Sequence, residues 1–189
     1  DLKKCMLLAK DAGFDGIELA LDEHGAVSMD STDEDILKVK KTAEEIGLEL
    51  YSVASGLYWT YNYTSANEEN VRYAKEITRK QLHVASLLDC DTILVVPGAV
   101  EVAFDPGEVV EYDVAYERAK NALIELAPFA EEKGVSIGVE NVWNRFWSSP
   151  MDAKYVIDGI GNKNVGIYLD LGNMIIMNDA EWWVEILAD

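Results

Sequence analysis

Apolar residues recur along the chain at two spacings, and the two spacings alternate. Leu2, Cys5, Met6 and Ala9 fall on one face of a helix, and Gly13 lies past its end. Residues 16–21 then form a short apolar run that predicts a strand. Ser31 to Glu34 has the form of a capping box, and Ile36, Val39, Ala43 and Ile46 continue from it as a helical stripe that Gly47 stops. A second strand is predicted over 48–54. Val71, Ala74, Ile77, Val84, Ala85 and Leu88 mark a third helix, followed by a strand over 92–96 that Pro97 and Gly98 close. Ala115, Ala119, Ala122, Leu123, Leu126 and Ala130 mark a fourth helix, with Pro128 expected to kink it because proline lacks the backbone donor. Gly134 ends that helix, and 135–140 reads as a strand. A short helix after Pro150, a strand over 165–169 and a helix through Trp183 and Ile186 complete the pattern.

Strands therefore begin near residues 16, 48, 92, 135 and 165, each pair separated by a helix. Units of about 30 to 45 residues of this kind give parallel strands with helical crossovers. The strands are near-continuous apolar runs, as expected of strands buried on both faces. Two α/β folds fit: a TIM barrel and an open doubly wound sheet. No G-x-G-x-x-G follows a strand, so the dinucleotide fingerprint is missing. Polar residues collect at the C-terminal ends of successive strands, where barrel enzymes build their sites, and this favours a (β/α)8 barrel. The chain starts on a helix and stops at Asp189 inside another. The expectation is one partial barrel domain over 1–189, spanning about strands two to six, with strand one and strands seven and eight outside it.

Composition narrows the function. With 189 residues and 49% of them hydrophobic, the chain can bury one sizeable core. The formal charge is −19, from 35 acidic against 16 basic residues. Much of the excess, such as Glu44 with Glu45 and Glu131 with Glu132, falls on predicted helix faces and reads as a solvated surface. That sign argues against a nucleic-acid partner, whose phosphates call for Lys and Arg. No apolar run approaches membrane-helix length, so no membrane partner is expected. Cys5 and Cys90 are too far apart in sequence to suggest a disulfide framework, and a reducing cytoplasm is the expected location.

The chemistry concentrates at two strand ends. Val135-Ser-Ile-Gly-Val-Glu140 is followed by Asn141, and Val165-Gly-Ile-Tyr-Leu-Asp170 is followed by Leu171, Gly172 and Asn173. In each case a strand ends on an acid and an amide comes soon after. A carboxylate at the mouth of a barrel is unfavourable unless paired, hydrogen-bonded or on a cation. Two from adjacent strands suit a hard divalent ion, Mg²⁺ or Mn²⁺, or part of a mixed site with His. The alternative is that each acid caps the helix that follows it.

Four segments resemble the xylose-isomerase-like superfamily of sugar isomerases and epimerases, in register and in order. Glu140-Asn-Val-Trp-Asn-Arg-Phe-Trp-Ser-Ser-Pro150 is similar to its fifth-strand signature and Tyr168-Leu-Asp-Leu-Gly-Asn173 to its sixth. Gly13-Phe-Asp-Gly-Ile-Glu-Leu19 with Leu21-Asp-Glu23 resembles its second strand, and Val95-Val-Pro-Gly98 the end of its fourth. Within that superfamily the chain most resembles the L-ribulose-5-phosphate and L-xylulose-5-phosphate 3-epimerases. The resemblance implies a metal held by Glu, Asp, His and Glu, with Glu140 and Asp170 as the first two ligands and Mn²⁺ the expected ion, ahead of Mg²⁺, Co²⁺ or Zn²⁺. It implies a ketose or ketose-phosphate substrate that loses and regains a carbon-bound proton through an enediolate, with Glu140 as one of two acid/base carboxylates. Most of the superfamily carries His where this chain has Asn173. Asn matches the phosphosugar epimerase branch and counts against the nuclease branch, which uses that His as a zinc ligand.

Other residues join the substrate site as expectations. Glu18 ends an apolar strand and either binds substrate or makes a salt bridge. Tyr58, Trp59, Tyr61 and Tyr63 follow the second predicted strand; they wall a sugar site, make a homo-oligomer contact or pack over the barrel mouth. Trp143, Asn144 and Asn173 are expected to line the pocket beside Glu140, and Arg145 is a weaker phosphate candidate. His24 and His83 read as structural. Two rivals share the metal or the fold: a dehydratase acting on a cyclitol ketone, and a barrel that binds sugar without chemistry.

Overall fold

The computed structural model describes residues 1–102, 107–175 and 179–188. Its elements follow in the order α1 (Leu2–Asp11), β1 (Gly16–Ala20), α2 (Asp33–Ile46), β2 (Glu49–Ala54), a 3₁₀ turn (Gly56–Trp59), α3 (Glu68–Leu88), β3 (Thr92–Val95), α4 (Tyr112–Lys133), β4 (Ser136–Glu140), α5 (Pro150–Ile160), β5 (Val165–Tyr168), α6 (Leu171–Met174) and α7 (Ala180–Leu187). Every predicted strand is present, shorter by one residue at one end. The last helix ends at Leu187, and Asp189 lies outside the described residues.

All strand pairs are parallel and the sheet order is β1-β2-β3-β4-β5. A doubly wound sheet reverses its strand order partway, and this one does not. Sequential order with a helix at each crossover is the arrangement of an incomplete (β/α)8 barrel. Paired residues of a parallel sheet project to the same face. Leu19, Val53, Ile93, Ile137 and Val165 form one such row and are buried. The opposite, concave face carries Glu18, Ser52, Thr92, Leu94, Gly138, Glu140 and Tyr168, so the two faces differ in polarity although the strands read as uniformly apolar.

The helices cover the convex face with the stripes the spacing predicts. Ile36, Val39 and Ala43 of α2 are buried, as are Ala74, Ile77, Val84, Ala85 and Leu88 of α3 and the alanine and leucine stripe of α4, which runs through Pro128 to Lys133. Two expectations shift. Cys5 is exposed and Met6 is the buried residue of α1. The capping box belongs to Thr32 and Asp35. The Ser31 hydroxyl already accepts from Ser28 N at 2.9 Å, which leaves Thr32 to cap α2. No helix among the described residues is long and apolar enough to cross a membrane.

Candidate active site

Glu140 and Asp170 stand at the C-terminal ends of β4 and β5, and the loops after both strands are clamped together there. Asn141, only 6% exposed, makes the clamp: its Nδ2 donates to Asp170 O and its Oδ1 accepts from Asp170 N, both at 2.9 Å. Asn173 Nδ2 returns a hydrogen bond to Asn141 O at 2.9 Å, and Trp143 Nε1 donates to Asn173 O at 3.1 Å. Asp170 also caps the one-turn α6, its Oδ1 accepting from Asn173 N at 2.8 Å. A Cβ at Gly172 would lie 3.2 Å from that same oxygen, so glycine gives the turn its room. The capping alternative is thus realised at Asp170 through one oxygen. Among the described residues no hydrogen bond engages Oδ2.

Glu140 is different. It caps nothing and accepts no hydrogen bond among the described residues, yet it is half-buried. Burial first, then the charges of Asp170 and Glu18, push its carboxyl up to about 7. Three carboxylates therefore share one end of the sheet, and among the described residues no Lys or Arg pairs with them there. A donor set of hard, mutually repelling oxygens fits a divalent cation, which would relieve that repulsion. Among the described residues no group of three or more Asp, Glu, His or Cys side chains could hold a metal ion on its own.

Glu18 lies on the same concave face and its carboxylate Oε2 accepts from the hydroxyls of Ser52, at 2.6 Å, and Tyr168, at 3.0 Å. Neither hydroxyl stands out in sequence, because Ser52 and Tyr168 sit inside apolar runs. Asn173 and Trp143 come to the same place, and the Trp143 side chain stays 53% exposed at the rim.

Four of the expected residues lie elsewhere. Tyr58 is 1% exposed and points into α3, where its hydroxyl meets Thr78 and Gln81. Gln81 in turn donates to Val53 O and Leu94 O, so this is a buried brace between helix and sheet. Asn144 is likewise buried, its Nδ2 donating to Gly98 O at 2.6 Å and its Oδ1 accepting from Phe146 N. It ties the loop after β3 to the loop after β4. Arg145 pairs with Glu101 at the surface. Trp59 walls a polar cavity of about 250 Å³ with Asn62, Thr64 and Glu108, and among the described residues that lining does not include Glu18, Glu140 or Asp170. His83 bonds Asp33 Oδ1 at 2.8 Å, and His24 is exposed in the loop after β1. A larger cavity of about 660 Å³ opens at the other end of β2 and β3, beside Lys40, Tyr51 and Cys90, away from the strand ends that barrel enzymes use.

Comparison with known proteins places this geometry in context. Residues 6–189 match the sequence profile of the xylose isomerase-like TIM barrel. No curated protein matches the chain. Among solved structures, a D-psicose 3-epimerase crystallised with D-fructose superposes with a TM-score of 0.79 at 21% identity, over 95% of this chain and 61% of that one. An L-ribulose 3-epimerase gives 0.73 at 24% identity, over 93% and 56%. A 3-keto-D-glucoside 4-epimerase from E. coli gives 0.77 at 20% identity, over 100% and 70%. The chain spans about three fifths of the length of the first two, at 61% and 56%. At these identities the likeness is one of fold.

Proposed function

The chain belongs to the xylose isomerase-like TIM barrel family, and from that premise we propose that it is the metal-bearing part of a sugar epimerase or aldose–ketose isomerase acting on a ketose, free or phosphorylated. The observation that carries the reading is Glu140: a half-buried carboxylate at a strand end, paired with no cation among the described residues, raised to about 7 by burial, Asp170 and Glu18. In this reading a strand before β1 and two after β5 close the barrel and bring the remaining ligands and the second acid/base.

Glu140 and Asp170 Oδ2 would hold a divalent ion, with Mn²⁺ the first choice. When bound, that ion would draw electron density from a ketose carbonyl and the hydroxyl on the adjacent carbon, and so would acidify the proton on that hydroxyl-bearing carbon. Glu140 takes that proton. With the ion bound Glu140 is a carboxylate, and a carboxylate is the form that can accept a proton. Asn141 and the cap on Asn173 N hold the Asp170 backbone and one carboxylate oxygen in place, which leaves the other oxygen for the ion. Glu18 accepts a hydrogen bond from a substrate hydroxyl, and Asn173 and Trp143 line the rim.

The test is isotope exchange. With Mn²⁺ in deuterium oxide, the intact protein should exchange a proton on a carbon next to the ketose carbonyl, C3 for an epimerase and C1 for an isomerase, with L-ribulose 5-phosphate and L-xylulose 5-phosphate tried first and unphosphorylated pentuloses and hexuloses next. Absence of exchange with every ketose in that set rejects the reading.

A further inference from the structure

Glu18, Ser52 and Tyr168 lie on three different strands, and the fold brings their polar atoms to one point. Ser52 is 34 residues from Glu18, and Tyr168 is 150 residues from it. Two separate backbone features are needed for this meeting. The β1–β2 register shifts between Ile17 and Glu18, so that Ile17 pairs with Leu50 but Glu18 pairs with Ser52. Tyr51 takes up the extra residue, and the shift sets the small hydroxyl of Ser52 beside Glu18 where unshifted pairing would set the Tyr51 ring. On the other side, the Tyr168 ring leans across β4 over Gly138. A Cβ at that position would stand 2.8 Å from Tyr168 Cδ2 and 3.0 Å from its Cβ, closer than side-chain atoms tolerate. Gly138 therefore makes the space through which Tyr168 reaches β1.

The hydrogen bonding at the meeting point is asymmetric. Ser52 and Tyr168 each bring a single proton, the two hydroxyls are 3.1 Å apart, and both lie within bonding distance of Glu18 Oε2. A carboxylate is the strongest acceptor present, so both protons point to it. Ser52 is 2% exposed, which fixes that end of the arrangement in the sheet. Glu18 itself remains open to solvent, and among the described residues its Oε1 accepts from nothing. One oxygen is held and the other is presented on the face that carries Glu140.

We propose that Tyr168 is a positioning residue: seated over Gly138, it fixes with Ser52 one oxygen of Glu18, so that the other is aimed in advance at a hydroxyl of the bound sugar. This rests on the reading of the concave face as a ketose site. A carboxylate on a strand without these two donors would have to be ordered by the substrate, which weakens binding. The substrate class it selects is a polyol chain long enough to place a hydroxyl beside β1 while its reacting carbon lies beside Glu140.

A double-mutant cycle in the intact protein tests this, with Mn²⁺ present and D-fructose and L-ribulose 5-phosphate as probes. Calorimetric affinity and the rate of C3 proton exchange are both read for Tyr168→Phe, Glu18→Gln and the double variant. Tyr168→Phe keeps the ring over Gly138 and removes the donor; it should weaken binding of the preferred probe roughly tenfold and raise KM more than it lowers kcat. Glu18→Gln should weaken binding at least as much, and adding Tyr168→Phe to it should change little, because Tyr168 acts through Glu18. Gly138→Ala, which displaces the ring but keeps the hydroxyl, should resemble Tyr168→Phe. Additive losses, or unchanged affinity in Tyr168→Phe, overturn the proposal; a purely structural tyrosine lowers Tm without moving affinity. Coupling in binding without exchange by the wild type rejects the epimerase reading and leaves this inference standing. Exchange without coupling does the reverse, and failure to bind either ketose rejects both.

Discussion

Asn141→Ala is the sharpest probe of how the carboxylates are held. The side chain is 6% exposed and makes two hydrogen bonds at 2.9 Å, one with Asp170 O and one with Asp170 N. Removing it loses both. A typical net contribution is about 1 kcal/mol per bond, and leaving partly buried Asp170 groups without partners adds a penalty of about 1 kcal/mol or more. The expected loss is about 2 to 4 kcal/mol, which lowers Tm by roughly 5 to 15 °C in a domain of this size. Because the clamp also sets the direction of Asp170, Mn²⁺ affinity should fall by about tenfold. Thermal unfolding followed by circular dichroism and calorimetric Mn²⁺ titration read the two effects. A Tm within 2 °C of wild type, or a large Tm loss with unchanged Mn²⁺ affinity, refutes the idea that Asn141 organises the site.

Further outcomes follow from the same geometry. Tyr58→Phe should cost about 1 to 2 kcal/mol by chemical denaturation, through loss of the Thr78 and Gln81 hydrogen bonds, and leave turnover unchanged. The raised carboxyl of Glu140 sets a sign for pH. Its folded value of about 7 lies above the ordinary value of 4.5, so stability it contributes to the metal-free protein is present below pH 4.5 and lost as pH rises through about 7. Glu140→Gln should accordingly raise the metal-free Tm at pH 8 relative to wild type and have little effect near pH 4. For the same reason Mn²⁺ binding below pH 7 must displace a proton. Calorimetry in buffers of different ionisation enthalpy should detect its release, and affinity should fall as pH falls.

The strands and helix stripes were legible because burial on the convex face is recorded directly as apolar spacing. Glu140 and Asp170 stood out for the opposite reason, since an acid closing an apolar strand breaks that spacing. What spacing does not record is hydrogen bonding between distant segments. Thr78 and Gln81 lie on the buried stripe of α3 and look like interruptions until Tyr58, Tyr63 and the strand carbonyls of Val53 and Leu94 are placed against them. Asn144 and Tyr58 were assigned to the pocket by proximity in sequence to Glu140 and to β2, but each side chain turns away to satisfy buried backbone or hydroxyl groups. Tyr168 was hidden by the same limit: it reads as one more apolar strand residue, and its partners are 116 and 150 positions away.

The account stands on the claim that Glu140 and Asp170 hold a divalent metal, and calorimetric Mn²⁺ titration of wild type, Glu140→Gln and Asp170→Asn in the intact protein tests it most directly. Asparagine caps a helix as well as aspartate does, so Asp170→Asn keeps the start of α6 and removes only the charge. The account predicts Mn²⁺ affinity at least tenfold weaker in both variants with Tm little changed in Asp170→Asn. It also predicts that saturating Mn²⁺ restores part of the turnover of Asp170→Asn but leaves Glu140→Gln slower by about 10² or more, since only Glu140 also moves the proton. Mn²⁺ affinity equal to wild type in both variants contradicts the assignment.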